Sequence, residues 1–186
     1  MRIISGRLKG RSINFIKNLT TRPLKDLVKE NIFNILNHSN LIKVKIEHSY
    51  ILDLYSGTGS FGIECISRGG KKVKFIEQDN VALNILKENL NKLKIINQSL
   101  VVNGKIENIL NQNQKQKYDI FFLDPPFSDK DFIKNLNLIK INKIYKDSHI
   151  VIIHRDKKTK DELDHLISTV LVKQYGRSKI IFGVFN

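Results

Sequence analysis

Asp124-Pro125-Pro126-Phe127 is the stretch whose residue types most directly suggest chemistry. A carboxylate, two residues lacking a backbone N–H and an aromatic ring follow one another. Such a set can hold a planar amine, with Asp124 and the Pro125 carbonyl accepting its two N–H groups and Phe127 stacking on the ring. The preceding run, Tyr118 to Leu123, is short, apolar and rich in aromatic and β-branched residues, as a strand buried on both faces requires. Two prolines fix two φ angles and remove two donors, so the strand must stop there. The loop then lies at the carboxyl end of a central strand, where open α/β sheets hold their ligands. Taken alone, the same residues also describe a proline-ended strand with a capping aspartate.

A second constellation lies upstream. Tyr50 to Tyr55 is another short apolar strand, running into Ser56-Gly57-Thr58-Gly59-Ser60-Phe61-Gly62. Its glycines have the G-x-G-x-x-G spacing between a strand and a helix predicted over Ser60 to Arg68, the context that gives the motif meaning. Glycines let the backbone approach a nucleoside, and the helix start supplies free N–H groups. A third strand, Lys72 to Ile76, ends in Glu77, near the spacing expected of an acid that takes ribose hydroxyls. A glycine pattern alone could be a tight turn; strand, glycine loop, helix, strand and acid in succession are more specific.

Asp53 separates the two cofactor classes that use this arrangement. A dinucleotide presents a pyrophosphate to the loop, and an acid four residues before the first glycine would repel it. S-adenosylmethionine carries a sulfonium and an amino group, which a carboxylate there favours. Asp53 could instead cap a turn or helix; with Asp-Pro-Pro-Phe downstream, the methyl donor is the better reading.

These motifs, with several near the N-terminus, resemble the RsmD-type bacterial small-subunit (16S) ribosomal RNA guanine-N2 methyltransferases. The resemblance runs through Arg2-Ile3-Ile4-Ser5-Gly6, Lys9-Gly10-Arg11, Thr21-Arg22-Pro23, Asp26, Val28 and Glu30 to Leu36. It continues through Asp53-Leu54-Tyr55-Ser56-Gly57-Thr58-Gly59, Glu77, Asp124-Pro125-Pro126-Phe127 and Tyr175-Gly176. The N-terminal pattern is its family-specific part. The resemblance implies a Rossmann-like, mostly parallel sheet with an antiparallel terminal strand. It also implies that Tyr55 joins Asp53, Gly57, Gly59 and Glu77 in binding S-adenosylmethionine. This chain departs from the family pattern at Leu27, where a second arginine is usual, and at Lys105-Ile106, where a small polar-alanine pair is usual. At His154-Arg155 it lacks the acid that commonly follows the fifth strand.

The chain has 186 residues and a formal net charge of +14, enough for one domain with a sizeable core and a polyanionic partner. Richness in Lys, Ile and Asn also follows AT-rich codons, so the placement of charge says more than its total. Arg2, Arg7, Lys9, Arg11, Lys17, Arg22, Lys25 and Lys29 crowd the first thirty residues against Asp26 and Glu30. Arginines set among glycines favour phosphate contact over a merely solvated face; Arg2, Arg7, Lys9, Arg11 and Arg22 are the candidate RNA contacts.

One cysteine, Cys65, excludes an internal disulfide and reads as a buried small residue. Five scattered histidines show no ligand spacing, so no metal is expected; His154 is expected at the surface rather than in the cleft. The lack of a membrane-length apolar run suggests a cytoplasmic protein, and a monomer is expected.

The periodicity predicts a hairpin over 1–16 turning near Arg7-Leu8-Lys9-Gly10. A helix follows from Pro23 to about Asn37, with Leu24, Leu27, Val28, Ile32, Ile35 and Leu36 on its apolar side. Asn111 to Gln116 reads as a polar loop. Helical segments near 129–140 and 159–167 flank a strand at His149–Ile153, and two final strands cover 169–175 and 178–185. This divides the chain into an N-terminal RNA-binding extension, 1–40, and a methyltransferase domain, 41–186. The expected reaction is methyl transfer from S-adenosylmethionine to the exocyclic N2 of a guanine in small-subunit rRNA, free or within an assembling 30S particle. The alternatives are an adenine-N6 DNA methyltransferase and a non-catalytic RNA-binding or assembly protein that kept the fold.

Overall fold

Short apolar runs bounded by glycine, proline and polar residues pair into one seven-stranded sheet. The computed structural model describes residues 1–16 and 26–186. The strands are β1 (Tyr50–Leu54), β2 (Lys72–Glu77), β3 (Ser99–Asn103), β4 (Tyr118–Leu123), β5 (Tyr145–Asp156), β6 (Ile167–Tyr175) and β7 (Ser178–Phe185). Their order is β3-β2-β1-β4-β5-β7-β6. The first five are parallel, and β7 enters antiparallel between β5 and β6. The order in which the chain adds strands reverses between β1 and β4, which stay parallel, and this is the place where such folds open a crevice. Register sets the level of that crevice: Leu54 stands beside both Ile76 and Leu123. The residues that follow, Tyr55, Glu77 and Asp124, therefore emerge side by side.

The helices are α1 (Asp26–His38), α2 (Ser60–Ser67), α3 (Asn80–Leu93), α4 (Ile106–Leu110) and α5 (Phe132–Ile141). They separate the core into two apolar layers. Ile32, Phe33, Phe61, Leu86 and Leu90 pack against Ile51, Phe75, Ile120 and Phe122 on one face. Leu136, Ile139 and Ile109 pack against Leu52, Leu54, Phe121 and Ile153 on the other. Leu52, Leu54 and Ile120 to Leu123 are almost wholly buried, as strands covered on both sides must be. Among the described residues no helix is long and apolar enough to cross a membrane. Cys65 is buried and free, its thiol pushed up by burial.

Residues 1–13 form the expected hairpin-like turn, held by an antiparallel bridge between Arg2 and Ser12. Ile3, Leu8 and Ile13 enter the same core as α1 and α2. Buried Glu64 of α2 anchors this segment, accepting the N–H groups of Ile4 at 2.8 Å and Ser5 at 2.9 Å. Ser67 adds two contacts, donating to the Ser5 carbonyl at 2.5 Å and accepting the Leu8 N–H at 3.0 Å. Gly6 is required at this junction: its φ is +80°, and a Cβ there would lie 1.9 Å from the Ser67 carbonyl oxygen.

Three expectations need correction or restriction. The start of the first helix at Pro23, with Leu24, falls outside the described residues, as do Lys17, Arg22 and Lys25. Leu27 is not on the apolar side: it is 64% exposed, because a 100° step per residue puts it with Asn34 and His38 rather than Val28 and Ile32. Residues 159–167 do not form a helix but an irregular segment leading into β6. There Leu163 and Leu166 reach the core while Asp161 turns to the buried Arg155, a tertiary contact that overrides helical spacing.

Candidate active site

The glycine loop begins with Tyr55, whose φ of +59° turns the chain sharply out of β1. Its phenol accepts a hydrogen bond from Asn135 of α5 at 2.9 Å, and burial holds that phenol un-ionised by pushing its pKa up. The three glycines have different tasks. Gly57 has φ +53° and nothing within 4 Å of where a Cβ would stand, so the backbone is bare towards the crevice. At Gly59, φ is +88° and a Cβ would meet the Leu86 side chain at 2.4 Å. A Cβ on Gly62 would fall 2.3 Å from the Phe75 ring, so this glycine lets α2 sit close on β2.

Asp53 is 1% exposed and accepts the Gly62 N–H at 2.9 Å. It thus satisfies an N–H in the first turn of α2, whose N-cap Gly59 has no side chain to do so. Burial pushes this carboxyl well above the ordinary range, against the pull of the Gly62 N–H; nearby Asp124 and Glu77 push it further. Glu77 closes the loop from β2. One of its oxygens accepts the Gly57 N–H at 2.7 Å, and the other accepts those of Gln78 and Asp79 at 2.9 and 2.8 Å.

The Asp-Pro-Pro-Phe loop faces this cradle, and β5 holds it from behind. Asp124 Oδ1 lies 2.7 Å from His154 Nδ1, and His154 Nε2 lies 2.9 Å from Ser178 Oγ. The edge of one ring meets the face of the other in the Phe127–His154 pair, with centroids 5.5 Å apart. The expectation of a surface His154 is therefore wrong: it is buried and lines the cleft. The cause is β7, which returns alongside β5 and brings Ser178 to its flank, a pairing between residues 24 apart. Arg155, also buried, donates to the Pro126 carbonyl at 3.0 Å and the Phe127 carbonyl at 3.1 Å. Pro126 O also accepts from Asp129 N. Among the described residues no donor reaches the Pro125 carbonyl.

One cleft of about 930 Å³ joins the two constellations. Asp53, Tyr55, Gly57, Glu77, Asp124, Pro125, Pro126 and Phe127 all line it. Gly59 does not, since its place is against Leu86. Lys105 and Ile106 line it as well, as do Met1, Phe15 and Ile16 from the N-terminal segment. Arg2, Arg7, Lys9 and Arg11 are exposed and outside the lining; the Arg7 guanidinium meets Gln98 Oε1. Residues that sequence reasoning missed are His154, Arg155 and Asn135. No local pattern marks them, because each acts across the sheet or from a distant helix.

The electrostatics of the cleft oppose those of the chain. Asp53, Glu77, Asp79, Glu107, Asp124, Asp129 and Asp131 line it, with Lys105 the one lysine or arginine among the described lining residues. A protein of net charge +14 thus presents an acidic pocket, suited to a cationic ligand and a neutral base but repelling phosphate.

Comparison with known proteins agrees with this geometry. The model of a family described as conserved hypothetical protein 95 matches residues 1–184. The ribosomal RNA small subunit methyltransferase D of Haemophilus influenzae is 36% identical over 159 residues, 84% of this chain and 79% of that protein. The protein of the same name from Escherichia coli K12 is 32% identical over 142 residues, covering 76% of this chain and 68% of its own. Among solved structures, the candidate methyltransferase yhhF of E. coli superposes with a TM-score of 0.83 at 26% identity, covering 100% of this chain and 98% of that one. The candidate methylase HI0767 of H. influenzae gives 0.77 at 30% identity, with 98% and 96% covered. A match along nearly the whole sequence, with the glycine cradle and the Asp-Pro-Pro-Phe loop in one cleft, means that this chain belongs to the conserved hypothetical protein 95 family, that of the RsmD-type rRNA methyltransferases.

Proposed function

We propose that this protein transfers a methyl group from S-adenosylmethionine to the exocyclic N2 of a guanine in small-subunit ribosomal RNA. The observation that carries the reading is the joining of an acid-lined nucleoside cradle and an amine-accepting loop in a single cleft. The donor set fits the cofactor. Glu77, fixed by three backbone N–H groups, would hold the ribose hydroxyls, and the bare backbone at Gly57 admits a nucleoside closely. Asp53, a buried carboxyl short of positive partners, would face the cationic methionyl end. When bound, S-adenosylmethionine supplies an electrophilic methyl group.

The chain's own residues then position the acceptor. A guanine leaves its stack and enters beside Phe127. Asp124 and the Pro125 carbonyl accept its two amine hydrogens, which aims the nitrogen lone pair at the methyl carbon. Bond formation from that nitrogen would be matched by cleavage of the methyl–sulfur bond, its electron pair staying on sulfur as a neutral thioether, and Asp124 would take the proton of the nitrogen as it turns cationic. The acidic cleft keeps phosphates outside, so backbone contacts fall to exposed cations such as Arg2, Arg7, Lys9 and Arg11, and to Arg22. Incubating the purified protein with S-adenosylmethionine and, in separate reactions, small-subunit RNA, partly assembled 30S particles or DNA should give N2-methylguanosine from an RNA-containing substrate on mass spectrometry of the digest. N6-methyladenine in DNA, or no product from any substrate, would replace this reading with one of its rivals.

The N-terminal cations make a separate prediction. Neutralising Arg7, Lys9 and Arg11 together should reduce the slope of log affinity for RNA against log salt by about two to three units. Donor affinity should hold, since these side chains lie outside the cleft lining. An unchanged slope would mean that the segment is only a solvated basic face.

A further inference from the structure

His154 and Arg155 are consecutive on β5, yet both are buried and both reach the acceptor loop of β4. Side chains of neighbouring strand residues point to opposite faces, so the loop is gripped from two directions. Arg155 is itself fixed from behind. Its guanidinium binds both Asp161 oxygens at 3.2 Å and lies 4.4 Å over the Phe132 ring. Thr159 Oγ1 donates to the same carboxylate at 2.8 Å. The two carbonyls it holds, Pro126 and Phe127, are those immediately after the one assigned to the amine.

His154 fixes the other end. A carboxylate can only accept, so Asp124 requires the proton of the imidazole on Nδ1. Nε2 is then an acceptor, and the partner 2.9 Å away is the Ser178 hydroxyl, which can donate. Asp124 therefore selects the tautomer, and the Ser178 hydroxyl, able to donate as well as accept, seats the ring by donating to Nε2. With Oδ1 engaged at 2.7 Å, Asp124 has Oδ2 left for the amine.

We propose that His154, held in its Nδ1–H tautomer by Asp124 and seated by Ser178, is a positioning residue that orients Asp124 for the amine, while Arg155 locks the backbone of the same loop. The proposal rests on the methyl-transfer reading for its kinetic consequence, but not for its tautomer. His154→Asn keeps an N–H donor near the Nδ1 position, whereas His154→Leu keeps bulk without a donor. Turnover should fall about tenfold to a hundredfold in H154L, the scale of a misplaced reacting group, with KM for RNA and donor affinity little changed. H154N should stay within about fivefold of the parent. Ser178→Ala, which removes the partner of Nε2 but leaves Asp124 in place, should lower turnover severalfold by loosening the ring while nitrogen-15 spectra still show the Nδ1–H form.

Equal turnover in H154L and the parent overturns the proposal, as does an H154N as impaired as H154L. If H154L does not fold, H154N and S178A decide the question alone. The nitrogen-15 spectrum of the parent protein separates this proposal from the function it serves. An Nδ1–H imidazole with no guanine methylation removes the substrate assignment and keeps the clamp, whereas an Nε2–H imidazole removes the clamp whatever the product.

Discussion

Alanine in place of Asp124 should reduce methyl transfer by on the order of a hundredfold or more while donor binding stays close to the parent value. Loss of a single preorganised polar contact at a reacting centre has that scale. Two losses coincide here. The carboxylate proposed to accept the amine proton is gone, and His154 Nδ1 loses its partner at 2.7 Å. The proposed donor side comprises Asp53, Gly57 and Glu77, on β1, its following loop and β2, and Glu77 should keep its three backbone contacts in the variant. Single-turnover transfer of labelled methyl, with calorimetric titration of the donor, checks both halves. Turnover equal to the parent protein would remove Asp124 from the mechanism.

Glu64→Ala should have the largest effect on stability, about 3–5 kcal/mol, the cost of breaking a buried charge pair by removing one partner. The Glu64 side chain has no exposure and accepts from Ile4 N, Ser5 N and Arg68 Nε at 2.8–2.9 Å. Lys29, itself 1% exposed, lies 4.0 Å away; burial already pulls its ammonium down, and Glu64 is the main charge opposing that. Deletion leaves two backbone donors and two cations without this acceptor. Total stabilities of about 5–15 kcal/mol make such a loss severe, and a chain of this size should melt roughly 6–20 °C lower. Urea titration of Glu64→Ala beside Glu64→Gln, which keeps an acceptor oxygen, measures the charge separately from the hydrogen bonds. Activity should fall too, because Glu64 holds the segment that carries Met1, Phe15 and Ile16 into the cleft lining. A Glu64→Ala protein within about 1 kcal/mol of the parent would show that the segment docks through Ile3, Leu8 and Ile13 alone.

The central sheet was legible where the chemistry is local. Runs such as Ile51-Leu52 and Ile120 to Leu123 are too apolar to face water and too short for helices, and they are β1 and β4 with nearly complete burial. The same applies to Gly57, Gly59 and Gly62, each demanded by a backbone angle or a close approach. Asp53 shows the limit of such reading. Its side chain does cap α2, the alternative weighed for it, and it also lines the cleft; residue type and spacing could not say that one carboxyl would meet both descriptions. The segment 159–167 misled for a related reason. Leu163 and Leu166 have helical spacing, but the desolvated guanidinium of Arg155 requires a carboxylate, and meeting it with Asp161 keeps the backbone irregular.

By itself the sequence determined six of the seven strands, all but β3, together with the glycine cradle and the proline stop of the acceptor loop, because these depend on φ restriction, missing donors and short-range apolar patterning, which each residue carries with it. Only the tertiary structure decided that Asp124 and Glu77 share one cleft with His154, that Arg155 is buried behind the loop and that the N-terminal hairpin is pinned to Glu64. Those outcomes come from strand order and register, from β7 pairing with β5 and from long-range partners for buried charges. Such partners are chosen by whichever distant group can replace lost water, a condition that no window of neighbouring residues contains.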